Sequence, residues 1–88
     1  AGITPDDVQN ALLAVPGVYG LHHLHIWPMS TTETALTVHL LREEAASQTP
    51  DQIITQASVI LREKFGISHP TFQIESPPVS CDLQQACC

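Results

Sequence analysis

The stretch GLHHLHIW at residues 20–27 decides the fold of this chain. Leu24 and Ile26 alternate with polar positions, and this spacing predicts a half-buried β-strand. Three of the chain's five histidines lie within the stretch. Packing alone does not favour several imidazoles on one strand, and the simplest physical reason for them is a bound metal ion. The stretch therefore predicts a small α+β domain with a metal site.

Two helices are predicted by nearly the same start signal. Thr-Pro-Asp occurs at residues 4–6 and again at 49–51, and it offers a capping residue, a proline at the first helical position and an acid in the first turn. An apolar stripe follows each start. Pro16-Gly17 ends the first helix, and Gly66 ends the second.

Three strands complete the predicted order α-β-β-α-β. We expect them at about residues 18–27, 34–41 and 71–75, with a hairpin between the first two. The second helix is then a right-handed crossover, so strands 2 and 3 run parallel and strand 2 is central. The expected fold is a two-layer α+β sandwich with a three-stranded mixed sheet. Its helix-free face suggests a homodimer.

The composition indicates which partners the chain can have. Its formal charge is −6, from nine acidic and three basic residues, which argues against nucleic acid and anionic lipid as partners and favours cations. No apolar run approaches the ~20 residues that span a bilayer. We expect one soluble domain at residues 1–78, excised from a longer protein, and a cysteine-containing tail at 79–88. Its three cysteines fit reduced thiols in the cytosol.

The predicted sheet brings the candidate ligands together. His39 lies on the central strand, His22, His23 and His25 lie on one neighbour, and Glu75 lies on the other. Imidazoles and a carboxylate are typical ligands of zinc and of related divalent ions. Alternation directs His39 and Glu75 outward. It also directs His23 and His25 outward, but it turns His22 toward the helices unless a bulge near Gly20 reverses it.

Each candidate also has a simpler explanation. His39 could be a polar residue on a solvated sheet face, and Glu75 a surface carboxylate. The three histidines of strand 1 cannot all bind one ion. His69 could be an ordinary loop histidine, and the tail thiols, Cys81, Cys87 and Cys88, could be spectators. No pattern indicates an enzyme: a nucleophile with a fixed base, a phosphate-binding glycine loop and an HExxH motif are all missing.

Three strings together resemble one known family. They are residues 17–27, GVYGLHHLHIW, residues 37–40, TVHL, and residues 71–76, TFQIES. In this order and spacing they are similar to the cytoplasmic C-terminal domain of cation diffusion facilitator transporters, which are metal/proton antiporters. The resemblance covers roughly residues 4–76 and implies a ferredoxin-like, metallochaperone-like fold.

The resemblance also implies a ligand set and partners. Family metal ligands map onto His22, His39 and Glu75, while Gln73 stands where some members have histidine. His69 lies one residue after a further family position, and Cys81 and Cys87 stand in the tail where zinc transporters have a CxxC. The implied partners are Zn²⁺ or another divalent metal, a second copy of the chain, and a transmembrane domain of the same full-length chain.

Three functions remain open from the sequence. The first is a regulatory, metal-binding and dimer-forming domain of a divalent-metal efflux transporter, on the cytoplasmic side of a membrane. The alternatives are a free-standing metallochaperone or metal buffer, and a dimerisation module that needs no metal. For any histidine site, affinity should fall below about pH 6.5, since only neutral imidazole binds a cation.

Overall fold

A computed structural model describes residues 3–76 of the chain. The order of its elements confirms the predicted α-β-β-α-β arrangement. In chain order the elements are α1 (Pro5–Leu13), β1 (Val18–Pro28), β2 (Thr34–Arg42), α2 (Pro50–Phe65) and β3 (His69–Glu75).

The two similar start signals produce unequal helix caps. The Thr49 side chain accepts a hydrogen bond from the Gln52 backbone, and the Gln52 side chain accepts one from the Thr49 backbone, which completes a capping box. Thr4 also precedes its helix, but its side chain makes no capping hydrogen bond. α2 ends at Gly66, whose φ of 68° lies in the left-handed region, whereas α1 ends at Leu13, before the predicted Pro16-Gly17.

The sheet has the strand order β1-β2-β3. β2 is central, antiparallel to β1 and parallel to β3, as the hairpin and the crossover predict. The helices cover one face, where apolar side chains from all five elements and their connections form the core. Its fully buried members are Val8, Leu12, Leu36, Leu40, Ala57, Leu61 and Ile67.

A β-bulge in β1 corrects the predicted direction of His22. Leu21 pairs with Leu40 and His22 with His39, but the next partner of β2 is His25, opposite Thr37. Two residues of β1 therefore oppose one residue of β2, and His23 takes a φ of 55°. The bulge shifts the alternation by one residue, so His22 lies beside His39 on the helix-free face. This bulge lies between His22 and His25, and β1 has a second register shift next to Gly20, between Val18 and Gly20.

Gly66 provides a direct test of the α2 terminus. A Cβ at this position would meet no heavy atom within 4 Å, so the cost of Gly66→Ala is backbone strain alone. We expect this substitution to lower the free energy of unfolding by about 1 kcal/mol, because alanine disfavours the left-handed conformation. Urea denaturation measures the loss. Gly66→Asn should lose less, since asparagine tolerates positive φ; equal losses for both would contradict this explanation.

Candidate metal centre

Three strands bring three donor side chains together on the helix-free face. His22 and His39 are direct cross-strand partners, and Gln73 of β3 pairs with His39 from the other side. Glu75 lies two residues further along β3, and its carboxylate reaches back toward both rings. His22 Nε2 donates to Glu75 Oε1 at 3.1 Å, and His39 Nδ1 donates to Glu75 Oε2 at 2.7 Å.

Glu75 is the buried acid of the cluster, with only 4% of its side chain exposed. The Gln73 side chain also donates to Oε2, at 3.2 Å. Burial by itself raises the pKa of Glu75, but the hydrogen bonds and charges of His22 and His39 outweigh it and hold the pKa below the usual 4.5. The carboxylate is therefore kept ionised, which is the form that binds a cation.

The donor geometry fits a divalent cation. One donor atom from each of His22, His39 and Glu75 lies within 4.8 Å of the other two. Zinc–ligand distances of 2.0–2.1 Å in a tetrahedron place neighbouring donors about 3.3 Å apart, so small side-chain adjustments would suffice. A ring nitrogen that binds the cation must be free of its proton, so binding through the nitrogens that face Glu75 would require their protons to leave or to move to the other ring nitrogen.

A third imidazole, that of His23, packs against the cluster. Its ring centroid lies 4.8 Å from that of His22 and 5.0 Å from that of His39. Alternation in the sequence directs His23 outward, whereas the family resemblance gives the ligand role to His22, and a regular strand cannot place both side chains on one face. The sequence signal for a bulge at this point was the pair of consecutive histidines, since histidine is among the residues that tolerate positive φ.

The other predicted ligands lie elsewhere. His69 is at the opposite end of β3 from Glu75, about 20 Å away at 3.3 Å per residue, so both cannot bind one ion within the same chain. Its Nε2 donates to Glu33 Oε1 at 2.7 Å, and both side chains are half exposed. His25 is exposed, as alternation predicted. Cys81 and Cys87 lie outside the described residues.

Acid should weaken the metal-free fold through Glu75. A carboxylate whose pKa is lower in the folded state stabilises that state above its unfolded pKa of about 4.5, and the stabilisation is lost as pH falls through the lower folded value. We therefore expect Glu75→Gln to be less stable than the parent near neutral pH, with the difference shrinking in acid. Urea denaturation with a chelator across this pH range measures it.

Glu33→Gln is the matched control, because the Glu33 carboxylate is exposed and also accepts a hydrogen bond from a histidine. Exposed ion pairs contribute little to stability, so this variant should follow the parent at every pH. A difference between Glu75→Gln and the parent that does not change with pH would contradict the role given to the ionised carboxylate.

Comparison with known proteins identifies the family of this fold and cluster. A family model described as the cytoplasmic domain of cation efflux proteins matches residues 2–77. The chain therefore belongs to this family, the cytoplasmic domains of cation diffusion facilitator transporters, and the predicted family is confirmed.

Individual relatives agree with this assignment. The metal cation efflux system protein CzcD of Cupriavidus metallidurans is 38% identical over 80 residues, which is 84% of this chain and 25% of that protein. The human probable proton-coupled zinc antiporter SLC30A3 is 36% identical over 70 residues, which is 80% of this chain and 18% of that protein. The chain thus spans a quarter or less of these relatives.

A solved structure confirms the predicted fold. The metal-bound C-terminal domain of the CzcD transporter from Cupriavidus metallidurans matches with a TM-score of 0.76 and 34% identity, over 83% of this chain and 99% of that one. The relatives are named as efflux proteins and antiporters rather than as enzymes. Within residues 3–76, neither helix combines the length and hydropathy that crossing a bilayer requires.

Proposed function

We propose that this chain is the regulatory, metal-binding and dimer-forming domain of a divalent-metal efflux transporter. The observation that carries the proposal is the convergence of His22, His39 and Glu75 from three strands. Zinc is the first candidate, since its ligands in proteins are imidazoles and carboxylates, and cobalt, cadmium and nickel are the alternatives. The human relative is named a probable zinc antiporter, and the similar CzcD domain was solved with metal bound, which supports this choice.

The residues of the cluster suggest how binding would be sensed. Without a cation, Glu75 is held by hydrogen bonds from the two imidazoles. A divalent cation would replace both hydrogen bonds by coordination and would neutralise the charge of a buried carboxylate. The three strands would then be fixed to one another at the end of the sheet where β3 ends. Fewer conformations of this face would favour association with a second copy, because less ordering is left to the binding step.

Exposed apolar side chains support the dimer. Trp27 is 44% exposed and Met29 is 55% exposed, and both lie at the end of β1 far from the cluster. Trp27 pairs with the buried Ala35 on the central strand. In the full-length protein, association of two such domains on the cytoplasmic side of a membrane would favour transport by the attached membrane domain.

Zinc titration and hydrodynamics test the proposal together. We expect calorimetry of the metal-free chain to give at least one tight zinc site per chain, and sedimentation velocity to show a larger dimer fraction with zinc. Tight binding without any dimer would favour a metal buffer instead. A dimer that forms equally with a chelator, together with no heat of binding, would favour a module that needs no metal.

Transport itself requires the full-length protein. Zinc uptake into inverted vesicles that contain the parent transporter should exceed uptake with its His39→Ala form at low zinc concentration. The two should converge at high zinc, where a domain with weaker affinity also becomes occupied. Equal uptake by the two forms at all zinc concentrations would contradict the proposal that metal binding to this domain regulates transport.

A further inference from the structure

The three imidazoles of the cluster form a nearly equilateral triangle. The ring centroids of His22, His23 and His39 are 4.8, 4.9 and 5.0 Å apart. The rings are tilted or edge-on to one another, with interplanar angles of 50°, 80° and 51°, rather than stacked in parallel. All three rings therefore lie within contact distance of one another.

The triangle has the dimensions of three imidazoles on one zinc ion. A zinc–nitrogen distance of 2.0–2.1 Å places each ring centroid about 3.2 Å from the ion, and tetrahedral angles then separate the centroids by about 5.2 Å. The separations in this chain fall within a few tenths of an ångström of that value. If His22 and His39 only held the Glu75 carboxylate, nothing would require the His23 ring to lie at the same distance from both.

We infer that His23 is the fourth ligand of the divalent-cation site formed by His22, His39 and Glu75. The inference rests on the proposed function. It makes the site a closed set of three histidines and one glutamate within a single chain, which needs neither a tail cysteine nor a residue of a second copy.

The bulge explains how two consecutive histidines can bind one ion. Successive side chains of a regular strand point to opposite faces, whereas the backbone of His23, with φ of 55°, turns its ring to the side of its neighbour. A non-glycine residue at positive φ costs stability, and a ligand role accounts for that cost.

Coordination by His23 requires one further movement of its ring. The donor atoms that already converge are those of His22, His39 and Glu75. Rotation of the His23 ring about its Cβ–Cγ bond moves the nitrogens while the ring centroid stays nearly in place. This torsion is broad and has low barriers, so the change is available without any movement of the backbone.

His23→Asn tests the inference without removing the bulge, because asparagine also tolerates positive φ. X-ray absorption at the zinc edge counts the imidazoles bound to the ion, and we expect three in the parent and two in His23→Asn. A chelator competition should show zinc affinity more than about 100-fold weaker, beyond the 10–100-fold that loss of an indirect supporting contact causes. His25→Asn, an exposed residue of the same strand, should match the parent in both measurements.

The outcomes separate this inference from the proposed function. An unchanged imidazole count in His23→Asn overturns the inference, whatever its affinity. If zinc binding is lost in His39→Ala but unaffected in His23→Asn, the inference fails and the proposed function stands. If the parent chain itself binds no zinc, both fail. Circular dichroism of the metal-free variants establishes that each is folded.

Discussion

His39→Ala is expected to bind zinc roughly 100-fold more weakly than the parent, or weaker still. Structural zinc sites with four ligands contribute about 10–16 kcal/mol, or about 3 kcal/mol for each ligand. A loss of that size corresponds to about two powers of ten in affinity. His39 lies on the central strand, paired with His22 on one side and Gln73 on the other, so its loss removes a donor from the middle of the cluster.

A chelator competition at fixed pH measures this loss, and His25→Ala is the matched control. His25 is on the same face of the sheet and pairs with Thr37, one step along the central strand from His39, but it is exposed and lies apart from the cluster. It should therefore bind zinc like the parent. Equal affinities for His39→Ala and the parent would exclude this cluster as the zinc site.

Leu40→Ala should have the largest effect on the fold. Leu40 is fully buried, neighbours His39 on the central strand, and pairs with Leu21 across the hairpin. Removal of a buried leucine side chain costs about 2–5 kcal/mol, through lost transfer free energy and the cavity that remains. Domains of this size have total stabilities near the lower end of the usual 5–15 kcal/mol. We therefore expect a substantial unfolded fraction at 37 °C, which thermal denaturation measures.

Leu13→Ala is the control, since Leu13 is 37% exposed at the end of α1. This substitution should change stability far less.

Zinc provides a second test of the Leu40→Ala variant. A ligand present at 100 times its dissociation constant stabilises the folded state by about 2.7 kcal/mol. Saturating zinc should thus restore much of the folded Leu40→Ala population. A variant that stays unfolded with zinc present would contradict the view that the site belongs to the native sheet.

The order of the elements was predictable because local signals agree with the tertiary structure. Thr49 and Gly66 mark the two ends of α2 in the sequence, and both do so in the structure. The long crossover between β2 and β3 then requires a parallel pair. The start of α1 was also predictable, but the missing cap at Thr4 was not, since a side-chain hydrogen bond depends on geometry that the residue type alone does not determine.

The candidate site was only half predictable for a similar reason. Alternation along regular strands places His39 and Glu75 on the outer face, and the structure agrees. It fails at His22, because one extra residue between His22 and His25 shifts the phase of the side chains directly before it. The burial of Glu75 argues against the alternative of a surface carboxylate, and the sequence could not indicate it because it depends on two rings contributed by other strands.

The three donors that converge on the helix-free face come from distant parts of the chain, and Glu75 follows His22 by 53 positions. While the polypeptide is being synthesised, a nascent chain that ends before the last strand lacks the carboxylate of the cluster. The complete site can then form only after synthesis of β3, and a ribosome-bound intermediate would compete poorly with finished molecules for a scarce ion.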